Sequence, residues 1–364
     1  MSDEDTKSIL PAVPEEVTAE WLSSVLKLKV KSIELTKSVL NATASKLFFT
    51  LTYEDDEEEA DRPTHVCLKG GFNPAMLAIE SYREILITMY SRETSFFNLV
   101  APKLVNMTLP KVWWAGVNSA QGQAILVMDD LNHQGYTFGD PVEDWSVERV
   151  KKGVEQLAAL HAGTWGWTLE SHPWIIPAYE HVMIGLTMMW EASVFGEDRP
   201  PFPEVIKNQA RTQAALKKHF ATKNPRFSCQ LHGDPHTGNT FLDKDERPFF
   251  LDWQTMHLGS AFHDFAYFVV GALSVEDRRA HELEILEHYV NYLTKFGVEG
   301  VSIDDEDVVK EYHKCCMSGL GWVLTPYDMQ GRERVWAMCE RYCAAIVDHK
   351  TIELVESLPE PESA

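Results

Sequence analysis

"QLHGDPHTGNTFLDKDERPFFLDWQ", residues 230–254, packs two histidines, several aspartates, an asparagine and two glycines into a short polar stretch that runs straight into apolar sequence. Its flanks read as strands: "FSCQLH" (227–232) enters, "TFLD" follows the polar loop, and "RPFFLDW" (247–253) returns, with "DKDE" as the hairpin turn between the last two. Asp234 and Asn239 then share one tight loop, and Asp252 comes back beside them at the end of a strand. Carboxylates gathered at close range repel one another, so a purely structural loop gains nothing from collecting them. A divalent cation supplies the reason, because Mg²⁺ takes oxygen ligands, often one or two carboxylates together with substrate phosphates.

The rest of the chain is compatible with an enzyme of that kind. Its 364 residues are 45% hydrophobic, enough for a large core in one big domain or two smaller ones. With 33 basic against 55 acidic side chains the net charge is −22, which disfavours nucleic acid as a partner and suits a neutral or basic small molecule. Part of that charge lies in "EDDEEEAD" (54–61), read as a solvated loop because like charges cannot be packed together. No apolar run reaches the roughly 18–20 residues a membrane span needs, and the acidic "MSDEDTKSIL" does not resemble a secretory signal. Six cysteines without a CxxC pair read as reduced, buried thiols, and a cytoplasmic location is expected.

Along the chain the texture changes once. "VKSIELTKSVL", "SKLFFTLTY" and "THVCLKG" are rich in β-branched and aromatic residues and predict an antiparallel meander. A helical stretch follows at 75–100, then two more strand candidates, "LPKVWWAGVN" and "QAILVMDDLN". From about residue 145 the pattern turns helical, with Val150, Val154, Leu157 and His161 at helical spacing, and further helices are predicted around 203–220, 276–296, 304–318 and 332–356. The tail "ESLPEPESA" is expected to fray.

"HGDPHTGN" followed by "LDWQ" resembles the catalytic segment of the aminoglycoside phosphotransferase and choline kinase-like superfamily, a branch of the protein-kinase-like fold that phosphorylates small molecules. The five-residue step from Asp234 to Asn239 also matches the Asp-to-Asn spacing of the protein-kinase catalytic loop, and "LDW" stands where those enzymes carry DFG. The texture of "LVMDDL", "HAGTWGW" and "HGDPHTGN" looks closest to the ecdysteroid-kinase and CHK-like branch. The resemblance implies an α+β, protein-kinase-like bilobal fold. Residues 1–130 would form a small antiparallel-sheet N-lobe ending at a hinge, and residues 131–364 a larger, mainly helical C-lobe.

It also implies roles. Asp234 would accept or orient the proton of the acceptor hydroxyl, and Asn239 and Asp252 would hold Mg²⁺ against the phosphates of ATP. His232 would anchor the loop more than transfer a proton, His236 would pack within it, and Asp264 in "GSAFHDFAYF" would pin it from behind. Lys69 in "HVCLKGG" would hold the nucleotide phosphates and needs a helical glutamate. Glu84 and Glu93 are the candidates, and "RETSFFNLV…LPKVWWAG" favours Glu93. Backbone groups from Met128 to Asp130 would meet the adenine edge, with Leu126 and Val127 against its face, and His161 is expected to be a buried, hydrogen-bonded residue. One departure stands out: the turn in "SVLNATASKLFF" has no glycine to cover the phosphates, leaving Ser38, Asn41, Thr43 and Ser45 as donors. The aromatic segment at 312–342 is expected to line part of the acceptor site. The expected function is ATP- and Mg²⁺-dependent phosphorylation of a small-molecule hydroxyl; a catalytically silent binding protein of the same fold is the alternative.

Overall fold

The computed structural model describes residues 9–41, 43–54, 61–175 and 179–360. Most of the acidic run predicted as a solvated loop falls outside these residues, as does Ala42 in the glycine-free turn.

The chain folds as two compact units, and the expected class, an antiparallel-sheet unit and a helical unit, is what it adopts. The first unit comprises the described residues of Met1–Lys103, Thr108–Thr137 and Leu251–Thr255. It contains helix α1 (Ala19–Leu26), strands β1 (Val30–Val39), β2 (Ser45–Tyr53) and β3 (His65–Gly70), helix α2 (Glu80–Ser95), and strands β4 (Val112–Asn118) and β5 (Gln123–Asp129). The five strands form one sheet in the order β1-β2-β3-β5-β4, antiparallel at every pairing. Period-two alternation explains it. On β2, Leu47, Phe49, Leu51 and Tyr53 point to one face, where they meet Val66, Leu68, Ile125, Val127 and the apolar side of α1. Burial of each such side chain contributes about 1.5–3 kcal/mol, which sets the register, because a slip of one residue would expose the whole row. The opposite face carries Phe48, Cys67 and Met128. The helical stretch predicted at 75–100 is interrupted: a short helix at Pro74–Leu77 precedes α2, and a π-turn spans Phe96–Val100.

The second unit contains α3 (Val147–Gly163), α4 (Tyr179–Leu186), α5 (Trp190–Phe195), α6 (Gln209–Ala221), strands β6 (Ser228–Leu231), β7 (Thr240–Leu242), β8 (Pro248–Phe250) and β9 (His257–Ser260), then α7 (Ala261–Ala272), α8 (Val275–Lys295), α9 (Glu306–Cys315), α10 (Leu320–Leu324), α11 (Arg332–Asp348) and α12 (Thr351–Ser357). β7 and β8 form the expected hairpin. Asp243 organises its turn by accepting from the backbone N–H of Asp245 (2.9 Å) and of Arg247 (3.0 Å). β6 pairs instead with β9. Helix α7 was not foreseen as a helix, and the physical reason is plain: all twelve of its residues are buried, so it has no polar stripe and no period to detect. Helix α3, by contrast, shows the predicted buried stripe and is capped by Ser146, whose hydroxyl accepts from Arg149 N–H. All six cysteines are buried and free, and no helix among the described residues is long and apolar enough to cross a membrane.

α3 and α7 approach closely because Gly153 lies between them: a Cβ there would sit 2.3 Å from the Phe268 ring. Gly153→Ala is therefore expected to lower the urea midpoint by the equivalent of about 1–3 kcal/mol, although alanine is the better helix former. A wild-type midpoint would mean that the two helices do not touch there.

Candidate active site

Each unit builds one cluster of functional side chains. In the first, Lys69 projects from β3 on the face that carries Leu126 and Met128. It is 6% exposed, and its ammonium nitrogen lies 2.9 and 2.8 Å from the two carboxylate oxygens of Glu93 on α2 and 3.1 Å from Asp252. Of the two glutamates weighed from the sequence, Glu93 meets the lysine and Glu84 is exposed. Glu93 also accepts the backbone N–H of Trp253 at 3.3 Å, and the Trp253 indole stacks on Phe96 with centroids 3.6 Å apart. Helix α2 is thereby tied to the segment carrying Asp252.

Asp252 follows β8 by two residues and has φ +67°. Left-handed backbone is uncommon outside glycine, but aspartate is among the residues that tolerate it. The turn brings the carboxylate back to Lys69. Burial alone would push the Lys69 ammonium down, but the charges of Asp252 and Glu93 outweigh it and lift the group above its ordinary value. Burial pushes Glu93 upward, with the Lys69 charge opposing. One ammonium thus serves two carboxylates, and Asp252, with 35% of its side chain exposed, is the one placed to take a further cation.

The remaining candidates of this unit are placed as follows. Lys46, not Ser45, is the cross-strand partner of Lys69, so by alternation the Ser45 side chain lies on the opposite face. Its buried hydroxyl has no hydrogen-bond partner. Leu126 shares the face of Lys69, whereas Val127 belongs to the core on the other side. Asp130 donates its N–H to His65 O (3.1 Å), accepts Gln134 N–H (3.1 Å), and its carboxylate accepts Asn132 N–H (3.0 Å), so it builds the turn that leaves β5.

In the second unit the loop after β6 is held from behind by Asp264, which is fully buried near the start of α7. The carboxylate accepts His232 N–H (2.6 Å) on one oxygen and Gly233 N–H (3.0 Å) on the other. Gly233 has φ +88°, the conformation that presents both amides to one acceptor without a side-chain clash. His161 from α3 adds a third bond, Nε2 to Asp264 at 3.1 Å, and its Nδ1 lies 2.7 Å from the Tyr289 hydroxyl. A carboxylate only accepts, so Nε2 carries the proton and Nδ1 accepts from Tyr289. Burial would raise Asp264, but His161 and the neighbouring histidines hold it down to about 2.

On the solvent side of this anchor the loop closes on itself. His232 is buried, and its Nδ1 accepts Asp234 N–H (3.3 Å). Asn239 donates its side-chain N–H groups to the Asp234 carbonyl (2.9 Å) and carboxylate (3.2 Å). His236 accepts Gly238 N–H (3.0 Å) and packs edge-on against Trp322 from α10, so the aromatic segment at 312–342 does reach this loop. The Asp234 side chain remains 32% exposed. Tyr267, one turn beyond Asp264 on α7, hydrogen-bonds Asp234, and burial and then the Asp234 charge push its phenol well above the usual range, so it stays a donor. Tyr267 was not singled out from the sequence; its i+3 spacing from Asp264 was the available signal.

The structure therefore brings together Lys69, Glu93 and Asp252 in one unit and His232, Asp234, Asn239 and Asp264 in the other. Among the described residues no cluster of three or more His, Cys, Asp or Glu side chains could by itself hold a metal ion. Asp252 in the first unit and Asn239 in the second each carry a side-chain oxygen of the kind a hard cation takes together with phosphate and water.

The sequence matches the model of the ecdysteroid kinase-like family over residues 47–297, more than half of the chain. Among solved structures it is similar to an amicoumacin kinase in complex with AMP-PNP, Ca²⁺ and Ami, with a TM-score of 0.52, 13% identity, and 92% of this chain and 94% of that one covered. A GDP complex of an aminoglycoside 2′-phosphotransferase variant gives a TM-score of 0.51 at 10% identity, covering 90% and 95%. A choline kinase from Streptococcus pneumoniae gives 0.47 at 14% identity, covering 91% and 97%. No curated protein matches the sequence. At these identities the first two comparisons establish the fold and nothing finer.

Asp264 provides a test of the anchor. Its carboxyl is held at about 2 against an ordinary 3.8, so the folded state binds fewer protons than the unfolded one in between. That stability, on the order of 2 kcal/mol, is complete above about pH 4 and is lost as pH falls toward 2. Asp264→Asn, which turns an N–H toward a backbone N–H, is expected to cost on the order of 3 kcal/mol and to flatten the acid limb of the stability profile. Urea titrations across the acidic range read both quantities; an unchanged midpoint would mean that the carboxylate does not hold the loop.

Proposed function

Because the chain belongs to the ecdysteroid kinase-like family, we propose that it transfers the γ-phosphoryl group of ATP to a hydroxyl of a small-molecule acceptor, with Mg²⁺ as the divalent ion. The observation that carries this reading is the pairing of buried Lys69 with both Glu93 and Asp252. A buried lysine held by one glutamate and shared with a second, more exposed carboxylate is placed to grip phosphate oxygens while that carboxylate takes a cation.

The proposed division of labour follows from local geometry. Lys69 holds phosphate oxygens, and Glu93 keeps the ammonium in position. Asp252 and Asn239 would hold the Mg²⁺, which when bound would neutralise charge developing on the transferred group. Leu126 and Met128, on the face of Lys69, suit the nucleotide base, with the segment leading to Asp130 at its edge. Asp234 accepts or orients the proton of the acceptor hydroxyl. Its Asn239, His236 and Tyr267 neighbours restrict the rotation of the carboxylate, while His232 keeps the backbone in place.

The backbone of the glycine-free turn and the exposed Lys46 are the phosphate-covering donors that this sheet offers in place of a glycine-rich loop. The same feature is what favours the second reading, a kinase fold that binds a small molecule without turnover. Asp234→Asn should lower acceptor-dependent ADP release by about 10²–10⁴-fold while leaving nucleotide affinity within a few-fold of wild type. Wild-type turnover in that variant would remove Asp234 from the chemistry. No ADP release by the parent protein across amine, sterol and aminoglycoside acceptors, with ATP still bound, would favour the silent binder.

A further inference from the structure

The sheet face that carries Lys69 is laid out in rows across the strands, and two neighbouring rows differ in chemistry. In one, Lys46 on β2 lies directly opposite Lys69 on β3. In the next, Phe48, Cys67 and Met128 form an apolar strip, with Lys37 at its β1 end. Two residues along a strand separate the rows, a distance of about 7 Å. All of these residues belong to the first unit, as do Glu93 and Asp252.

The apolar strip is complete in itself. Its one cation, Lys37, stands 5.6 Å from the centroid of the Phe48 ring, where the π face attracts it. The lysine row is not complete. Like charges directly opposite on neighbouring strands repel, their Cβ atoms being about 5 Å apart. Lys69 is compensated by Glu93 and Asp252. Lys46 is exposed, and its ammonium meets no carboxylate among the described residues. It nevertheless reaches this face: burial pushes the Cys67 thiol up to about 12, and the Lys46 charge opposes that shift more strongly than the Lys69 charge does. A sheet built for stability alone gains nothing from an unpaired lysine facing a second one. An anion held over the row supplies the missing charge.

Lys69 cannot supply that anion's full complement. Its group sets one ammonium against two carboxylates, so a divalent ion on Asp252 would bring the sum to a single positive charge. A triphosphate carries more negative charge than a diphosphate, and the surplus falls to the next cation in the row. Lys46 is that cation, on a flexible four-carbon stem that can follow the phosphate chain.

We propose that Lys46 sets the selectivity of this site for a nucleoside triphosphate over the diphosphate, its ammonium taking up the phosphate charge that Lys69 leaves unmatched. The inference rests on the phosphotransferase reading and adds to it a determinant of donor choice. The apolar strip contributes affinity for the base without contributing to that choice. After transfer the diphosphate product has lost the charge that Lys46 answers, so the same lysine favours exchange of product for fresh donor.

Calorimetric titration of the full-length protein with adenosine, ADP and ATP, the nucleotides with Mg²⁺, tests it. The parent is expected to bind ATP at least about tenfold more tightly than ADP. Lys46→Met should weaken ATP by about tenfold and ADP by no more than about threefold, with adenosine unchanged. Lys46→Arg should keep the preference for ATP. Lys37→Met, which removes the same charge from the neighbouring row, should also keep it. A parent without that preference, a Lys46→Met variant that loses both nucleotides equally, or an equal effect from Lys37→Met would overturn the proposal. ATP binding that is unchanged in Lys46→Met would overturn this inference alone, whereas a parent that binds neither nucleotide would overturn the phosphotransferase reading with it.

Discussion

A carboxylate without solvent contact must find its compensating hydrogens inside the protein, and Asp264 draws them from two backbone amides and one imidazole supplied by separate parts of the chain. Neither amide belongs to a sheet ladder, and both would be costly to bury unpaired. The loop and the anion therefore satisfy each other. The cluster extends outward through His161 to Tyr289 on α8, so a long stretch of helix stands behind a backbone turn of a few residues. On the other side of that turn Asp234 is partly open to solvent. A rigid, saturated interior next to one half-exposed carboxylate is the arrangement expected of a preorganised site, in which bonds made during folding need not be remade during reaction.

The Lys69 cluster follows the opposite electrostatic rule. Around Asp264 the hydrogen-bond donors match the acceptor and the site is complete. Around Lys69 one ammonium faces two carboxylates, and the site is one cation short. Buried ion pairs are weak contributors to stability, because desolvation offsets most of the Coulomb attraction. A buried Lys69–Glu93 pair with a second, partly exposed carboxylate and a net negative charge is better explained by what it can bind than by what it stabilises. The left-handed backbone at Asp252 and the Glu93 bond to Trp253 N–H both serve to hold that imbalance in place.

The departures from the protein-kinase pattern are concentrated on β2 and the turn before it. A glycine-rich loop contributes flexible amides; here the sheet presents Lys46 beside Lys69 and turns Ser45 to the far face. Cross-strand register decides this, and one position in either direction would exchange the two. The aromatic residues around Asp234 show a similar dependence. Trp322 from α10 packs on His236 of the loop and Tyr267 from α7 hydrogen-bonds Asp234 of the same loop, and none of the three is distinctive in its own segment.

Much of this was legible in the sequence. The strands of the first unit alternate with period two, α3 has a one-sided apolar stripe, and the five-residue step from Asp234 to Asn239 encodes local turn geometry, so each can be read over a short window. The choice of Glu93 over Glu84 could also be made, because "RETSFFNLV…LPKVWWAG" resembles the family pattern of Arg-Glu, an aromatic pair and a Leu-Pro strand entry. What only the tertiary structure decided involves partners distant in the chain: the Tyr289–His161–Asp264 chain, the face on which Ser45 lies, the wholly buried α7, and the two unsatisfied imbalanced imidazoles at His219 and His263. The physical reason is that periodicity and motif spacing record constraints along the chain. Whether a buried polar atom is satisfied depends instead on which segments pack beside it, and that is determined only when the core closes.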